Sequence, residues 1–274
     1  MGDTAKKILF VNSQMYPYLP ESPMANICRE LPQGIQERHK EIRAFMPLYG
    51  CINGRKNQLH EVIRLSGMNI IISDVDRPLV IKVASISAAR IQVYFIDNED
   101  YFRRKQIYRD DSGKFFEDNG ERAIFFARGV LDAVKKQRWA PDIIHCSGWI
   151  SHLLPFYLKK AYKDDPIFSN AKVVLSLYDD TPAETFAPDF AASIPFGPVK
   201  PEDVDLQSPV SGMELAKFAA KWSDGIILSS PDVDPALAKF CQESRLPLIP
   251  YEPASYTDGT YMDRYNAFYD DLLK

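Results

Sequence analysis

The chain has 274 residues, 46% of them hydrophobic and 26% charged, which is material for one large α/β domain or two small ones. Its net charge of −4 excludes a general nucleic-acid-binding surface. Four scattered cysteines (Cys28, Cys51, Cys146 and Cys241) contain no C-x-x-C pair, which argues against a zinc site or a disulfide framework and suits a reducing cytosol. The first apolar run, Ile8 to Val11, is too short for a signal peptide, and no stretch approaches the roughly 18 apolar residues of a membrane helix. The expectation is a soluble cytoplasmic protein that meets neither a membrane nor a nucleic-acid polymer.

In chain order, KILFVN (7–12) is a short apolar run of buried-strand type. Residues 24–38 read as a helix, with Ile27, Leu31 and Ile35 four apart, and EIRAFMP (41–47) as a strand. Residues 61–96 hold four closely spaced β-rich runs, EVIRL, NIIIS, LVIKVAS and RIQVYFID. Asp74 to Pro78 supply a turn, and the whole reads as a β-meander inserted into an α/β frame. A long helix follows, with Asp118 or Asn119 as N-cap and Ala123, Phe126, Ala127, Val130, Leu131 and Val134 on one stripe.

PDIIHCS (141–147) reads as a buried strand, ISHLLPFYLKKAY as a helix and AKVVLSLYD (171–179) as a strand. Residues 180–210 read as loop, 213–223 as helix, 224–230 as strand, and PDVDPALAKFCQES opens another helix. Asp258-Gly259 is a turn before an amphipathic terminal helix with Tyr261, Tyr265, Phe268, Tyr269 and Leu272 on one side. Alternation of this kind predicts a Rossmann-like, doubly wound parallel sheet.

Ligands of such sheets bind beyond the carboxyl ends of the strands. Asn12-Ser13-Gln14, Ser147-Gly148-Trp149, Tyr178-Asp179-Asp180-Thr181 and Ser229-Ser230-Pro231-Asp232 occupy those positions. His145 and His152 lack metal-ligand spacing. Ser147 lacks a G-x-S-x-G setting and reads as a plain strand-end serine. Asp179-Asp180 reads as solvated or capping acids rather than an acid–base pair. Tyr16, Tyr18 and Tyr49 are rim tyrosines that could stack on a sugar.

The ordered blocks KILFVNSQMYPY, ELPQGIQERHKEIRAFMPLYG, VYFIDNEDYF, DNGERAIFFARGVLD, PDIIHCSGW, KVVLSLYD and ELAKFAAKWSDGIILSSP resemble the N-terminal half of bacterial glycogen synthases and plant starch synthases. The resemblance spans roughly residues 5 to 232. It implies one lobe of the two-lobed GT-B architecture. It also implies glucose transfer from ADP-glucose or UDP-glucose to an α-1,4-glucan, with no cofactor and no essential metal.

The departures are local. The family's M-x-P-x-x-K-x-G-G-L-x-D loop has Pro20 at the lysine position, Ser22-Pro23 at the glycine pair and Asn26 at the aspartate. H-C-H-D-W becomes His145-Cys146-Ser147-Gly148-Trp149, and I-H-N becomes Leu177-Tyr178-Asp179. Prolines lack the N–H groups that hold a diphosphate at a helix N-terminus, and Glu21 brings charge of the wrong sign. Losing the lysine and adding that repulsion forfeits about 3–7 kcal/mol, at least about a hundredfold in affinity. Ser22-Pro23 instead reads as an N-cap with proline at the first helical position.

The resemblance therefore implies a vestigial donor and acceptor cleft of Asn12, Tyr16, Tyr18, Asn26, His145, Trp149, Tyr178 and Asp179, with no catalytic residue assigned. It implies a domain over 1–257 and a crossing helix over 258–274, the second lobe being lost between about 232 and 258. Three roles are open. One is a lobe without autonomous transfer that binds α-glucan, ADP-/UDP-glucose or a partner protein of glycogen metabolism. The second is an active glucosyltransferase, remodelled or completed by a second chain. The third is an interaction module with no carbohydrate role.

Overall fold

The computed structural model describes residues 5–274. Ten strands occur among them: β1 (Lys7–Asn12), β2 (Glu41–Pro47), β3 (His60–Glu61), β4 (Met68–Ile72), β5 (Val75–Ile86), β6 (Ile91–Asp97), β7 (Ile143–Ser147), β8 (Lys172–Leu177), β9 (Gly225–Leu228) and β10 (Leu248–Ile249). The helices are α1 (Pro23–Glu37), α2 (Glu99–Phe102), α3 (Asn119–Lys136), α4 (Leu154–Lys160), α5 (Phe190–Ser193), α6 (Gly212–Lys221), α7 (Pro235–Glu243), α8 (Pro253–Asp258) and α9 (Tyr261–Leu272).

The strand order is β10-β9-β8-β7-β1-β2-β6-β5-β3, with β4 attached to β5. Every pairing from β10 through β6 is parallel. This is the doubly wound arrangement, whose strand order reverses between β1 and β7. The reversal brings the carboxyl end of β1 beside that of β7, with Asn12 opposite Ser147. Both strands are buried throughout their central residues, because helices cover both faces.

The β-rich segment is more integrated than an insertion. β6 pairs in parallel with β2, and β5 then extends the same sheet antiparallel. The turn is Ser73-Asp74, both residues at positive φ (49° and 62°), while Asp76 to Pro78 lie in β5. A two-residue hairpin with left-handed central residues matches the twist of its strands, and this places the turn ahead of the proline-centred position expected from sequence. Of EVIRL only Glu61 is in a strand. The β4–β5 hairpin folds over α3, where Gly129 lets Ile70, Leu79 and Ile96 close against the helix.

α1 begins as its sequence dictates. Ser22 Oγ accepts from the Ala25 N–H at 3.0 Å, and Pro23 takes the first helical position. α3 departs from its amphipathic reading, since Ile124, Phe125 and Ala133 are as buried as the expected stripe. Its N-cap Asp118 makes no cap bond and pairs with Arg104 instead. Capping therefore falls to backbone geometry there.

α3, α4, α6 and α7 pack in succession as one layer. α1 and α9 pack together as a separate layer. α9 reaches β7 through Tyr269 and β9 through Phe268 and Leu272, which close on Gly225. It is bound to the turn that follows α1 by Arg38–Asp263 at 2.6 Å and Lys40–Asp270 at 2.8 Å. No helix among the described residues is long and apolar enough to cross a membrane.

Candidate functional site

The switch point lies between the segments that leave β1 and β7. Ser13 donates its N–H to Ser147 O at 2.8 Å, locking the two strand ends together. Gly148 follows at φ 89°, a conformation that side-chain-bearing residues rarely adopt. A Cβ there would lie 2.5 Å from Ser13 Cβ and 3.0 Å from Asp180 Oδ2. Asp180 in turn accepts the Trp149 N–H at 2.8 Å. The crevice is thus narrowed by backbone-close packing of Ser13, Gly148 and Asp180. Dense surroundings push the Asp180 carboxyl up to about 6, with Asp179 adding to the effect.

The helix that opens beside it has little left to offer an anion. Pro23 has no N–H, the Ala25 N–H is held by Ser22 Oγ, and the Asn26 N–H donates to Ser22 O at 2.9 Å. Only Met24 retains a first-turn donor outside these contacts. Ser22 Oγ also bonds Gln14 Oε1 at 3.2 Å, tying the cap to the preceding loop. Glu21 is exposed on that loop, and Asp179 is exposed after β8.

The eight residues expected to form a cleft are not gathered into one open pocket. Asn12 is 1% exposed, and neither of its amide atoms has a partner among the described residues. Trp149 is buried in an aromatic box with Tyr108, Phe115 and Phe186. His145 is buried between the Tyr269 hydroxyl (2.5 Å from Nδ1) and Ser176 Oγ (2.6 Å from Nε2). Burial lowers its pKa to about 3, so the imidazole is neutral. Burial raises the Tyr178 hydroxyl well above the usual range, with Cys28 and Tyr256 adding to the rise and Ser229 and Ser147 opposing it.

Tyr16 is exposed, Asn26 is partly exposed, and Tyr18 packs edge-on against Phe95. Tyr49 is buried and bonds the Tyr108 hydroxyl at 2.7 Å, so it is not free to stack on a ligand. His152 is buried with both ring nitrogens unpartnered, and no group of three side chains that could hold a metal occurs among the described residues.

The carboxyl ends of β8 and β9 are covered by the chain's own tail. Tyr251, Tyr256 and Tyr261 stack in series at 5.1 and 4.9 Å. Ser229 Oγ lies 3.0 Å from the Tyr265 hydroxyl, which lies 2.8 Å from that of Tyr256. Tyr261 donates to Glu30 of α1 at 3.3 Å.

The family model for the starch synthase catalytic domain matches residues 7–238. The chain belongs to the starch synthase catalytic domain family. Glycogen synthase of Chlorobium limicola is 38% identical over 174 residues, 63% of this chain and 36% of that protein. Glycogen synthase of Chlorobaculum parvum is 31% identical over 227 residues, 82% of this chain and 46% of that protein. The catalytic domain of starch synthase IV from Arabidopsis thaliana, solved bound to ADP and acarbose, superposes with a TM-score of 0.66 at 16% identity. That superposition covers 81% of this chain and 44% of the other. This starch synthase-type chain thus spans less than half the length of these relatives.

Three features that shape the crevice of this synthase-type lobe escape a reading of its sequence alone. The expected acid is Asp179, but Asp180 is the one that faces Gly148 and Trp149. Ser13 is read as a strand-end residue but is absent from the expected cleft, although the register of small residues ending β1 and β7 is a signal for it. The tyrosines of the tail read as a docking stripe, with nothing to indicate their reach to Ser229 and His145.

Proposed function

We propose that this chain is a glycogen/starch synthase-like lobe that binds α-glucan and does not transfer glucose by itself. The observation that carries the reading is the state of the switch point. A diphosphate needs N–H donors and positive charge at the helix start. Here the first turn of α1 retains one donor, Pro23 and Ser22 replace the others, and the crevice presents Asp180 rather than a cation. Ser147 and Tyr178, at positions where the resemblance expects histidines, are buried, and the retained His145 is sealed by Tyr269 and Ser176. Family membership supports a role in α-glucan metabolism, and the Arabidopsis domain's ADP and acarbose supply the ligand classes to test.

The decisive assay incubates the chain with labelled ADP-glucose or UDP-glucose and glycogen, then counts label in the polymer. The expected result is no incorporation above a boiled control, together with retention of the protein in a glycogen co-sedimentation. Incorporation would overturn the non-transferring reading. Failure to co-sediment would overturn glucan binding.

A second reading is a glucosyltransferase completed by another chain. It is favoured by membership of the starch synthase catalytic domain family. The same assay repeated with cell extract as the source of a complementing chain separates the two.

A further inference from the structure

We infer that glucan is held away from the switch point, in a cavity between the loop after β1 and the end of β5. This rests on the glucan-binding reading above and names its site. The cavity, about 410 Å³, is lined by Pro17 and Tyr18, by Lys56, Gln58 and His60, and by the 83–88 segment that ends β5. Its volume lies in the range of roughly 300–1,000 Å³ typical of small-molecule sites.

Its chemistry separates it from the other principal cavities. Four others, at Phe115–Phe186, Tyr49–Arg103, Leu206–Phe240 and Arg104–Asp118, are each lined by two or more carboxylate side chains. This one has none, although the chain carries net charge −4. Lys56 makes no ion pair among the described residues, so its ammonium is available as a donor.

A sugar ring asks for two things at once, an apolar face against its C–H groups and convergent donors and acceptors for its hydroxyls. Pro17, Ile86 and Ala88 supply the first. Gln58, His60, Ser85 and Lys56 supply the second. A diphosphate would find a single lysine and no α-helix N-terminus here, only the one-turn 3-10 segment Ser87–Ala89, so a neutral oligosaccharide fits better than an anion.

The test is titration of the full chain with maltohexaose, using cellohexaose as the β-linked control. Two variants probe the site: Lys56→Ala/His60→Ala removes donors, and Ser85→Trp fills the space. The expected result is maltohexaose binding that each variant weakens about tenfold or more with an unchanged thermal melt. Shift mapping by NMR on the wild-type chain is an independent measurement, with perturbations expected at Gln58, His60 and Ser85. Binding that survives both variants, or perturbations confined to Phe115 and Phe186 or to Asn12 and Gly148, overturns this site and leaves glucan binding standing. No binding of maltohexaose by the wild-type chain overturns the glucan reading and this site with it.

Discussion

His145 Nδ1 lies 2.5 Å from the Tyr269 hydroxyl, joining the middle of β7 to the last turns of α9 across 124 residues of chain. Both groups are buried, so the bond is made without competition from water. It closes over a histidine whose sequence position belongs to the expected cleft and turns that residue into part of the packing.

The first prediction concerns that contact. Tyr269→Phe leaves His145 Nδ1 buried and unpaired, at a cost of about 1–3 kcal/mol. Truncation after residue 257 removes Tyr261, Tyr265 and Tyr269 together, each worth roughly 1.5–3 kcal/mol of gross burial before entropy is subtracted. The truncated chain is expected to melt lower and to aggregate. Differential scanning fluorimetry and size-exclusion chromatography check both, and a truncated chain as stable and monodisperse as the parent would refute the role given to α9.

Gly148→Ala is expected to destabilise by about 2 kcal/mol or more. The residue sits at φ 89°, and its new methyl group would press on Ser13 Cβ at 2.5 Å. Ser13→Gly in the same chain removes the contact but not the backbone strain, so rescue is partial. Urea denaturation midpoints of the single and double variants measure the split.

The cap of α1 offers a graded test. Ser22→Ala loses the bond to the Ala25 N–H and should cost about 1 kcal/mol, while Ser22→Gly should cost only a few tenths. Equal losses for the two variants would place the effect in the Gln14 contact rather than in capping.

The pH dependence follows from two buried histidines and the partly buried Asp180. His145 and His152 have pKa values near 3 in the fold, against an ordinary value of 6.5. The unfolded chain therefore binds more protons between those values, and stability falls as pH drops below about 6.5. Asp180 acts oppositely. Its carboxyl is raised from 3.8 to about 6, so the folded chain binds the extra proton and stability from this group rises as pH falls from about 6 to 4. Asp180→Asn should raise the melting temperature at pH 7 to 8 and make the decline on acidification steeper. Thermal melts of both chains from pH 4 to 8 decide it, and parallel profiles would contradict the upward shift of the Asp180 carboxyl.

Much of the frame is legible in local patterns. β1, β2 and α1 fall within a residue of their sequence readings, because an apolar run, an i, i+4 stripe and a Ser-Pro start are each local signals. β10 and α8 leave no such signal, since two residues carry no period and a single turn carries no stripe. The turn at Ser73-Asp74 lacks glycine, and Pro78 draws the sequence reading away from it, although the strand tolerates that proline opposite Asn69. Of the expected site, Asn12, Trp149 and Tyr178 do sit at or near strand ends, while His145 lies inside β7. Their accessibility is not legible in sequence, because it depends on side chains more than a hundred residues away or on neighbouring loops.

Residue order alone determined the α/β alternation, the family and the loss of donors where α1 begins, since each is written in short-range chemistry: strand runs, ordered blocks, and prolines that have no N–H to give. The tertiary structure decided which polar groups meet water. Tyr269 reaches His145, Tyr265 reaches Ser229, and Asp180 rather than Asp179 faces Gly148 only once the sheet is wound and the tail has folded back. Burial is a property of distant surfaces brought together, and no local pattern carries it.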